Sequence, residues 1–361
     1  MALLLFLLPY TNKLPYSGPL RPFVNFVKYS KESVLVLYKP QSHIDAQYRK
    51  YLENKLLVFN NIASLINFLS KPREYFLFIT DWYRALLFLK KLKFLCKEKF
   101  IPIIYAEVYH GTLNPMSMRS KVLFTLISRL LREFNNIVAN SMAGFKFLVE
   151  YYKVLPLGHV YPPVNTAIFN PSKINRVDRF KVLLYLGSIR ADTDLKLVRK
   201  IINVLLVRRD VEEVCLLGNK LLQLRLISEA PSRKLHPLID VSDEMLAKVY
   251  SEVSLTICPQ RWEPYGYVVA ESIACRTPVL AFNSMGPKEL VSLTKCGILV
   301  NSEKEMINTA SRIDLDSIKE IREKCRIDTV RKLFSPWASV NKLMALVPKL
   351  GHSHESHWRK Q

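Results

Sequence analysis

The sequence predicts an α/β protein of two Rossmann-like domains with a cleft between them, and three observations carry this prediction. Short apolar runs alternate with longer amphipathic stretches through both halves, which is typical of parallel sheets covered by helices. The chain has 361 residues, more than a single hydrophobic core usually organises. A polar stretch with three prolines at 161–181 interrupts the alternation and runs into a fresh apolar segment, "VLLYLG".

The individual elements follow from the length and spacing of the apolar residues. Short, continuous apolar runs predict strands at 2–8, 34–38, 75–79, 101–105, 136–140, 182–187, 213–217, 255–258, 278–282 and 298–300. Amphipathic stretches predict helices at 61–69, 84–99, 120–134, 142–152, 194–207, 243–252 and 266–275. Strands separated by helices in this way are expected to lie parallel.

Composition limits the class of protein. Hydrophobic residues make up 49% of the chain, which is typical of a globular protein. The opening "MALLLFLLPY" is too short to span a bilayer and is expected to be a buried strand. The six cysteines are scattered, with no Cys-x-x-Cys pair, so we expect a reducing compartment, no disulfide framework and no zinc site. The histidine-containing tail at 351–361 is expected to be a frayed terminus.

The formal net charge of +22 lies mainly in the first half of the chain. A basic face suits nucleic acid, anionic lipid or a phosphorylated substrate, although a lysine-rich composition alone would give the same charge. Two basic amphipathic segments stand out, "RALLFLKKLKFLCKEKF" (84–100) and "RSKVLFTLISRLLREF" (119–134). Such helices can lie on an anionic membrane surface, or they can be ordinary solvated faces that cover a sheet.

The stretch "RWEPYGYVVAESIACRTPVLAF" (261–282) carries the candidate chemistry. A helix that starts near Gly266, with Pro264 fitting its start, would offer amide groups and a helix dipole to an anion. Glu263 would precede this helix and Glu271 would lie in its second turn. Because carboxylates are poor phosphate ligands, both are expected to accept hydrogen bonds from hydroxyls beside a phosphate, as in a nucleotide sugar. Alternatively, Glu263 is a cap and Glu271 a surface residue.

This stretch resembles the retaining GT-B glycosyltransferases of family 4. Their signature is a Glu, a Gly-aromatic-Gly turn, a second Glu and then Gly-Thr-Pro-Val. Here it stands as Glu263-Pro264-Tyr265-Gly266-Tyr267, Glu271 and "SIACRTPVLAF". The resemblance extends to segments at 137–152, 160–171, 182–198, 214–219, 239–260 and 334–347.

The resemblance implies a GT-B fold, in which two Rossmann-like domains face each other across a cleft and a C-terminal helix crosses back to the N-terminal domain. The implied parts are an acceptor-side domain (1–165), a linker (166–180), a nucleotide-sugar donor domain (181–335), the crossing helix (336–350) and a tail (351–361).

The family's roles transfer to matching positions. Glu263 would lie beside the donor sugar hydroxyls at the reacting face, and Glu271 would hold the nucleotide ribose. The backbone amides of Tyr265, Gly266 and Tyr267 would meet the diphosphate and the sugar.

Further candidates lie in three other loops, two of which depart from the family pattern. Gly187 begins the phosphate-side loop, but no Lys-Gly follows it, so Arg190 is the first candidate to neutralise the diphosphate and Lys196 the second. His110, in "YHG", would approach the sugar or the acceptor, or it is a structural imidazole. Gly18, in "YSGP", stands alone where two glycines are common in the first loop.

One position inside the signature also departs from the family. Arg276 replaces the glycine that usually precedes Thr-Pro-Val, and it is expected to stiffen that turn.

The implied function is a retaining, metal-independent hexosyltransferase with no cofactor. It would move sugar from a nucleotide-diphosphate donor to a lipid-linked acceptor or a growing glycan, in the cytoplasm or peripherally on a membrane. Same-face attack and a nucleophilic Glu263 both remain open as routes. The alternatives are an inactive GT-B scaffold and a basic nucleic-acid-binding protein, although nucleic-acid-binding motifs are lacking. A nicotinamide-dependent dehydrogenase is disfavoured because no Gly-x-Gly-x-x-Gly follows a strand.

Overall fold

The computed structural model describes residues 3–10, 20–40, 48–50, 52, 54–97, 99–107, 118–171, 179–187 and 194–346. These residues form two compact units. One contains the described residues up to Pro163 together with those from Pro336 onward, and the other runs from Val164 to Ser335.

The N-terminal unit is a parallel sheet of seven strands in the order β3-β2-β1-β4-β5-β6-β7. Its strands are β1 (Leu3–Pro9), β2 (Ser33–Tyr38), β3 (Leu56–Phe59), β4 (Tyr75–Thr80), β5 (Ile101–Ala106), β6 (Ile137–Ala139) and β7 (Gly158–His159). Its helices are α1 (Arg21–Tyr29), α2 (Ile62–Leu69), α3 (Tyr83–Leu95), α4 (Met118–Leu131), α5 (Met142–Phe147, continued by a π turn to Tyr152) and α14 (Pro336–Leu346).

The core of this unit is built on aromatic contacts around its central strand. Phe6 of β1 lies opposite Leu35 of β2 and Phe78 of β4 in the register. Its ring stacks on Phe78 with centroids 4.7 Å apart, and it meets Phe23 of α1 edge to face at 5.2 Å. Strands buried on both faces explain why the sequence shows continuous apolar runs there and no alternation.

Helix α14 follows the whole C-terminal unit in the chain but belongs to the N-terminal unit. Leu343 is buried in the N-terminal core, and α14 packs against α1. The Lys342 Nζ atom lies 2.9 Å from His159 Nε2 and 5.4 Å from the centre of the Tyr161 ring. The crossing helix of the predicted fold class is therefore present.

The C-terminal unit is a parallel sheet of six strands in the order β10-β9-β8-β11-β12-β13. Its strands are β8 (Phe180–Gly187), β9 (Val211–Gly218), β10 (Leu235–Leu238), β11 (Leu255–Cys258), β12 (Val279–Phe282) and β13 (Gly297–Val300). Its helices are α6 (Leu195–Val207), α7 (Lys220–Glu229), α8 (Asp243–Glu252), α9 (Tyr267–Ala274), α10 (Met285–Thr294), α11 (Glu303–Arg312), α12 (Leu315–Lys324) and α13 (Ile327–Phe334).

Both sheets reverse their direction of growth at one place. In the C-terminal unit β9 and β10 follow outward from β8 on one side, and β11, β12 and β13 form the series on the other side. In the N-terminal unit the same reversal lies between β1 and β4. This is the doubly wound Rossmann order, so the predicted fold class of two Rossmann-like parallel sheets is confirmed.

Every predicted strand is present, but several elements were not predicted. Three short strands were missed: β3, β7 and β10. The last of these reads Leu-His-Pro-Leu, and its proline is tolerated because β10 lies at the sheet edge. The missed helices are α1, α7 and the run from α10 to α13. Across the described part of the chain, no helix combines the length and the apolar character that crossing a bilayer requires.

The structure contains a disulfide bond, although the sequence led us to expect no disulfide framework. Cys296 and Cys325 are bonded, with their Cα atoms 4.5 Å apart. Cys296 directly precedes β13 and Cys325 follows α12, so the fold brings together two positions that are 29 residues apart. Spacing along the chain carried no sign of this, and the cysteines no longer argue for a reducing compartment. The other four cysteines are buried and unbonded.

The contact of α14 with β7 makes stability depend on pH. Burial, and then the charge of Lys342, lowers the pKa of His159 from 6.5 to about 4. The unfolded chain therefore binds a proton below about pH 6.5 while the folded chain stays neutral, so stability falls as the pH drops through this window. We expect wild type to lose about 1 kcal/mol more than His159→Gln between about pH 7 and 5, after allowance for partial exposure. Urea unfolding at both pH values measures this, and equal losses would contradict it.

Candidate active site

The loop between β11 and α9 is shaped by a glycine that no other residue can replace without strain. Gly266 is the N-cap of α9 and has φ +89°, in the left-handed region. A Cβ atom there would lie 3.3 Å from both Glu263 Cγ and Val269 Cγ2. The sequence suggested that Pro264 fits the start of the helix. In the structure it lies two residues before the cap and therefore belongs to the loop.

This loop lies where the C-terminal sheet reverses its direction of growth, at the carboxyl ends of β8 and β11. Gly187 ends β8 with φ +72°. Gln260 follows β11, and its Nε2 donates a hydrogen bond of 2.9 Å to the Tyr185 carbonyl of β8. Ligands of open parallel sheets bind outside the carboxyl ends of the strands at such a point. The position therefore supports a binding site independently of the sequence signature.

Glu271 is not a surface residue. It lies in the second turn of α9 and is only 1% exposed. The Tyr250 hydroxyl of α8, itself fully buried, donates to Glu271 Oε2 across 3.4 Å. Burial raises the pKa of Cys275 to about 12, and the charge of Glu271 adds to this effect. A carboxylate held in the interior at this position is costly unless hydrogen bonds compensate it.

Glu263 is half-buried and is held by its backbone. Its carbonyl oxygen accepts a hydrogen bond of 3.0 Å from the amide of Gly286. Burial raises the pKa of Cys258, and the negative charge of Glu263 raises it further. Cys258 is the last residue of β11, and Glu263 follows it in the loop beyond the carboxyl end of that strand.

The start of α9 differs from the starts of the three helices that precede it. Side-chain oxygens of Asp194, Asn219 and Ser242 accept hydrogen bonds from the first-turn amides of α6, α7 and α8. Gly266 has no side chain that could do the same for α9. A helix N-terminus without such a cap suits an external anion, because its amides and dipole favour negative charge.

The candidate cation Lys196 lies at a less suitable helix start. It is exposed in the first turn of α6, and its amide donates to Asp194 Oδ1 across 3.0 Å. A carboxylate already occupies that N-terminus, so its amides are not available to a phosphate. The other candidate cation, Arg190, lies outside the described residues, as do His110 and Gly18.

The beginning of α10 supports the loop, and the sequence reasoning did not identify it. A Cβ atom on Gly286 would lie 2.2 Å from the Tyr265 carbonyl oxygen, so the two backbones are in direct contact. The Ser284 hydroxyl donates to the carbonyl of Arg261, earlier in the same loop. The scarcity of glycine in this chain was the available signal that Gly286 marks a close backbone approach.

The far end of α9 is also fixed by hydrogen bonds. The Ser272 hydroxyl lies 2.8 Å from Thr256 Oγ1 of β11 and 3.0 Å from the Thr277 carbonyl oxygen. The Thr277 hydroxyl donates to the Tyr250 carbonyl. Arg276 takes φ +61°, which explains why glycine is usual there, and its Nε donates to the Arg322 carbonyl across 3.0 Å.

The structure thus places five predicted residues in one loop and helix start: Glu263, Tyr265, Gly266, Tyr267 and Glu271. Gly187 ends a strand at the same edge of the sheet. Sequence reasoning missed Gln260, Tyr250 and Gly286, whose contacts come from other elements. Within the described residues, no group of three or more His, Cys, Asp or Glu is arranged to hold a metal ion.

Comparison with protein families finds a match to this part of the chain. Residues 168–326 match the model of the family glycosyl transferases group 1. A probable sucrose-phosphate synthase of Thermosipho melanesiensis is 28% identical over 195 residues, which cover 48% of this chain. The match spans 44% of the length of that relative.

Comparison with solved structures covers nearly the whole chain. HepE of Anabaena in complex with UDP-glucose aligns with a TM-score of 0.74 at 14% identity, covering 96% of this chain and 99% of HepE. Sucrose-phosphate synthase of Thermosynechococcus elongatus aligns with a TM-score of 0.72 at 14% identity, covering 97% of this chain and all of that chain. At these identities the likeness shows a shared fold.

The contact between Gly286 and Tyr265 gives a test of the site's scaffold. We expect Gly286→Ala to destabilise the protein by about 2–3 kcal/mol, because its Cβ would overlap backbone that cannot move without displacing the loop. Gly158→Ala is the matched control, since its Cβ would meet only the Leu346 side chain at 3.4 Å. Urea unfolding followed by circular dichroism measures both. Equal stability of the two variants would contradict the described packing.

Proposed function

We propose that this protein is a glycosyltransferase of group 1 that takes a sugar from a nucleotide-diphosphate donor. One observation carries the proposal: the buried carboxylate of Glu271 sits behind a helix start without a side-chain cap, at the point where the sheet reverses its direction of growth. This arrangement falls within the segment that matches the family. An anion site beside a carboxylate suits a diphosphate whose neighbouring ribose offers hydroxyl donors.

In this proposal the loop and α9 do most of the binding. Amides of Tyr265, Gly266 and Tyr267 meet the diphosphate and the sugar. Glu271 accepts hydrogen bonds from the ribose hydroxyls, and Glu263 lies beside the donor sugar. When the glycosidic bond to the diphosphate breaks, negative charge grows on the leaving group, and the N-terminus of α9 stabilises it.

A basic side chain is proposed to complete this stabilisation. Arg190 remains the first candidate and Lys196 the second. The Asp194 cap beside Lys196 favours Arg190, because the cap holds a negative charge where the phosphate would lie. Gly187 and Gly18 would allow close approach of the donor, and His110 would contact the sugar or the acceptor from the N-terminal unit.

The finer chemistry is proposed from the family resemblance. We propose retention of configuration and no metal ion, with the acceptor either lipid-linked or a growing glycan. Same-face attack and a nucleophilic Glu263 both fit the half-buried position of Glu263. UDP and UDP-glucose are the first ligands to test, because the structurally similar HepE binds them.

Replacement of Glu271 tests the binding half of the proposal. We expect Glu271→Gln to weaken UDP binding by about tenfold or more, because a carboxylate acceptor to hydroxyls is lost while volume is kept. Glu252→Gln, on the exposed surface of α8, is the matched control and should bind UDP like wild type. Isothermal titration calorimetry measures both. Undiminished UDP binding by folded Glu271→Gln would refute the role of Glu271. If the wild-type protein binds no nucleotide, the transferase proposal fails and the alternative of an inactive GT-B scaffold is favoured.

Replacement of Glu263 tests the chemical half. We expect Glu263→Gln to lower the rate of sugar transfer or donor hydrolysis by about a hundredfold, with UDP affinity changed little, since Glu263 faces the sugar and not the nucleotide. UDP release from UDP-glucose measures the rate, and Glu252→Gln again serves as control. A rate equal to wild type would exclude Glu263 from the reaction. A product with inverted anomeric configuration would exclude retention.

A further inference from the structure

Two neighbouring helices of the N-terminal unit expose apolar and basic side chains together. We call their outer surface the α3–α4 face. It consists of Leu87, Lys90, Lys91, Phe94, Met118, Lys121, Val122, Leu126 and Arg129.

On α3 the apolar residues do not all point inward. The inner face buries Ala85, Leu86, Phe88, Leu89 and Leu92, as a helix that covers a sheet should. Leu87 and Phe94 lie on the opposite side, two turns apart, and Phe94 is 84% exposed. Lys90 and Lys91 stand between them on the same side and are also exposed.

On α4 the exposed apolar residues form a row. Met118, Val122 and Leu126 follow one another at intervals of four residues, and Met118 and Val122 are 77% and 64% exposed. Lys121 and Arg129 flank this row and are exposed too. The solvent-facing side of an amphipathic helix usually carries polar residues. A row of exposed apolar side chains there is typical of an interaction surface.

The two helices form one continuous surface. Lys90 Nζ of α3 lies 2.8 Å from Glu133 Oε2, just after α4, and Lys93 Nζ lies 6.0 Å from the Phe134 ring. A groove of about 380 Å³ runs between them, lined by Lys90, Lys93, Phe94, Lys97, Glu133 and Phe134. The ammonium groups of Lys90, Lys93 and Lys97 outnumber the single carboxylate of Glu133, so the groove suits a phosphate-bearing headgroup. Phe94 lines the same groove and offers an apolar contact.

We propose that the α3–α4 face docks the protein on a bilayer that contains anionic lipids. Cations alone would suit nucleic acid, and apolar residues alone would suit another protein. Exposed Phe, Met, Val and Leu side chains interleaved with lysines match the membrane interface, where apolar groups enter the acyl boundary and cations meet the headgroups. The net charge of +22 strengthens the attraction. The proposal does not depend on sugar transfer.

Vesicle flotation with the full-length protein tests this. We expect binding to vesicles of phosphatidylcholine with about 30% phosphatidylglycerol and little binding to phosphatidylcholine alone. Salt raised from about 0.1 to 0.5 M should weaken the binding several-fold, since it screens the charges and leaves the apolar contacts. Equal binding to both vesicle types, or none to the anionic ones, would overturn the proposal.

Variants locate the contact. Phe94→Ser combined with Val122→Ser should reduce partitioning into anionic vesicles by about tenfold or more, because two exposed apolar anchors are removed. Lys91→Gln and Lys121→Gln should each reduce it by about fivefold. Val207→Ser combined with Leu221→Ser is the matched control, since these side chains are 80% and 68% exposed on α6 and α7 of the other unit. Circular dichroism checks that each variant is folded.

The same variants separate a membrane from nucleic acid. If a single-stranded oligonucleotide displaces the vesicles and only the lysine variants lose both ligands, the face binds polyanions and the proposal fails. Loss of vesicle binding with Phe94→Ser and Val122→Ser, while oligonucleotide retention is unchanged, supports it. UDP titration of these variants should match wild type, so the outcome stays distinct from that of the proposed transferase activity.

Discussion

Everything at the candidate site depends on how α9 begins. The left-handed Gly266 lets the chain turn from the end of β11 into the helix and contributes no side chain that would occupy the first-turn amides. The turn holds its shape because Gly286 of α10 abuts Tyr265 and binds the Glu263 carbonyl. Glu271 follows one turn later and is buried against Tyr250. A larger residue at Gly266 would strain the backbone and crowd Glu263 at once, so one backbone requirement sets both the start of α9 and the position of Glu263 beside it.

The two units share the doubly wound strand order, but different contacts hold their sheets together. In the C-terminal sheet, the amide of Gln260 connects the loop after β11 to β8 across the reversal point. Close contact also joins Gly218 of β9 to the Gly187 carbonyl, where an added Cβ would lie only 2.6 Å away. At the carboxyl ends of these strands, the close backbone contacts therefore depend on Gly187, Gly218 and the side-chain amide of Gln260. The N-terminal sheet is organised around the stacked rings of Phe6 and Phe78 in its core.

Sequence reasoning recovered what local pattern encodes. Long buried strands such as β1 and β4 read as continuous apolar runs and were predicted, whereas β10 is broken by His236 and Pro237. The apolar run of β3 was missed, although the equally short β11 was predicted. The signature placed Glu263 and Glu271 correctly at the start of α9, but only the structure shows that Glu271 is buried. Tyr250 and Gly286 reach the site from other elements. The scarcity of glycine hinted that Gly286 matters, but no local pattern pointed to Tyr250. The bond between Cys296 and Cys325 likewise depends on tertiary proximity.

That crosslink makes the two halves of the molecule unequal in their sensitivity to thiol chemistry. Tying residues 296 and 325 together removes open conformations from the denatured chain, which by loop entropy corresponds to about 3–4 kcal/mol. Only the unit carrying α9 receives this support, since the one cysteine in the other unit's described residues, Cys96, is unbonded. Reduction of this bond would therefore weaken the unit that carries α9 and leave the internal contacts of the other unit unchanged.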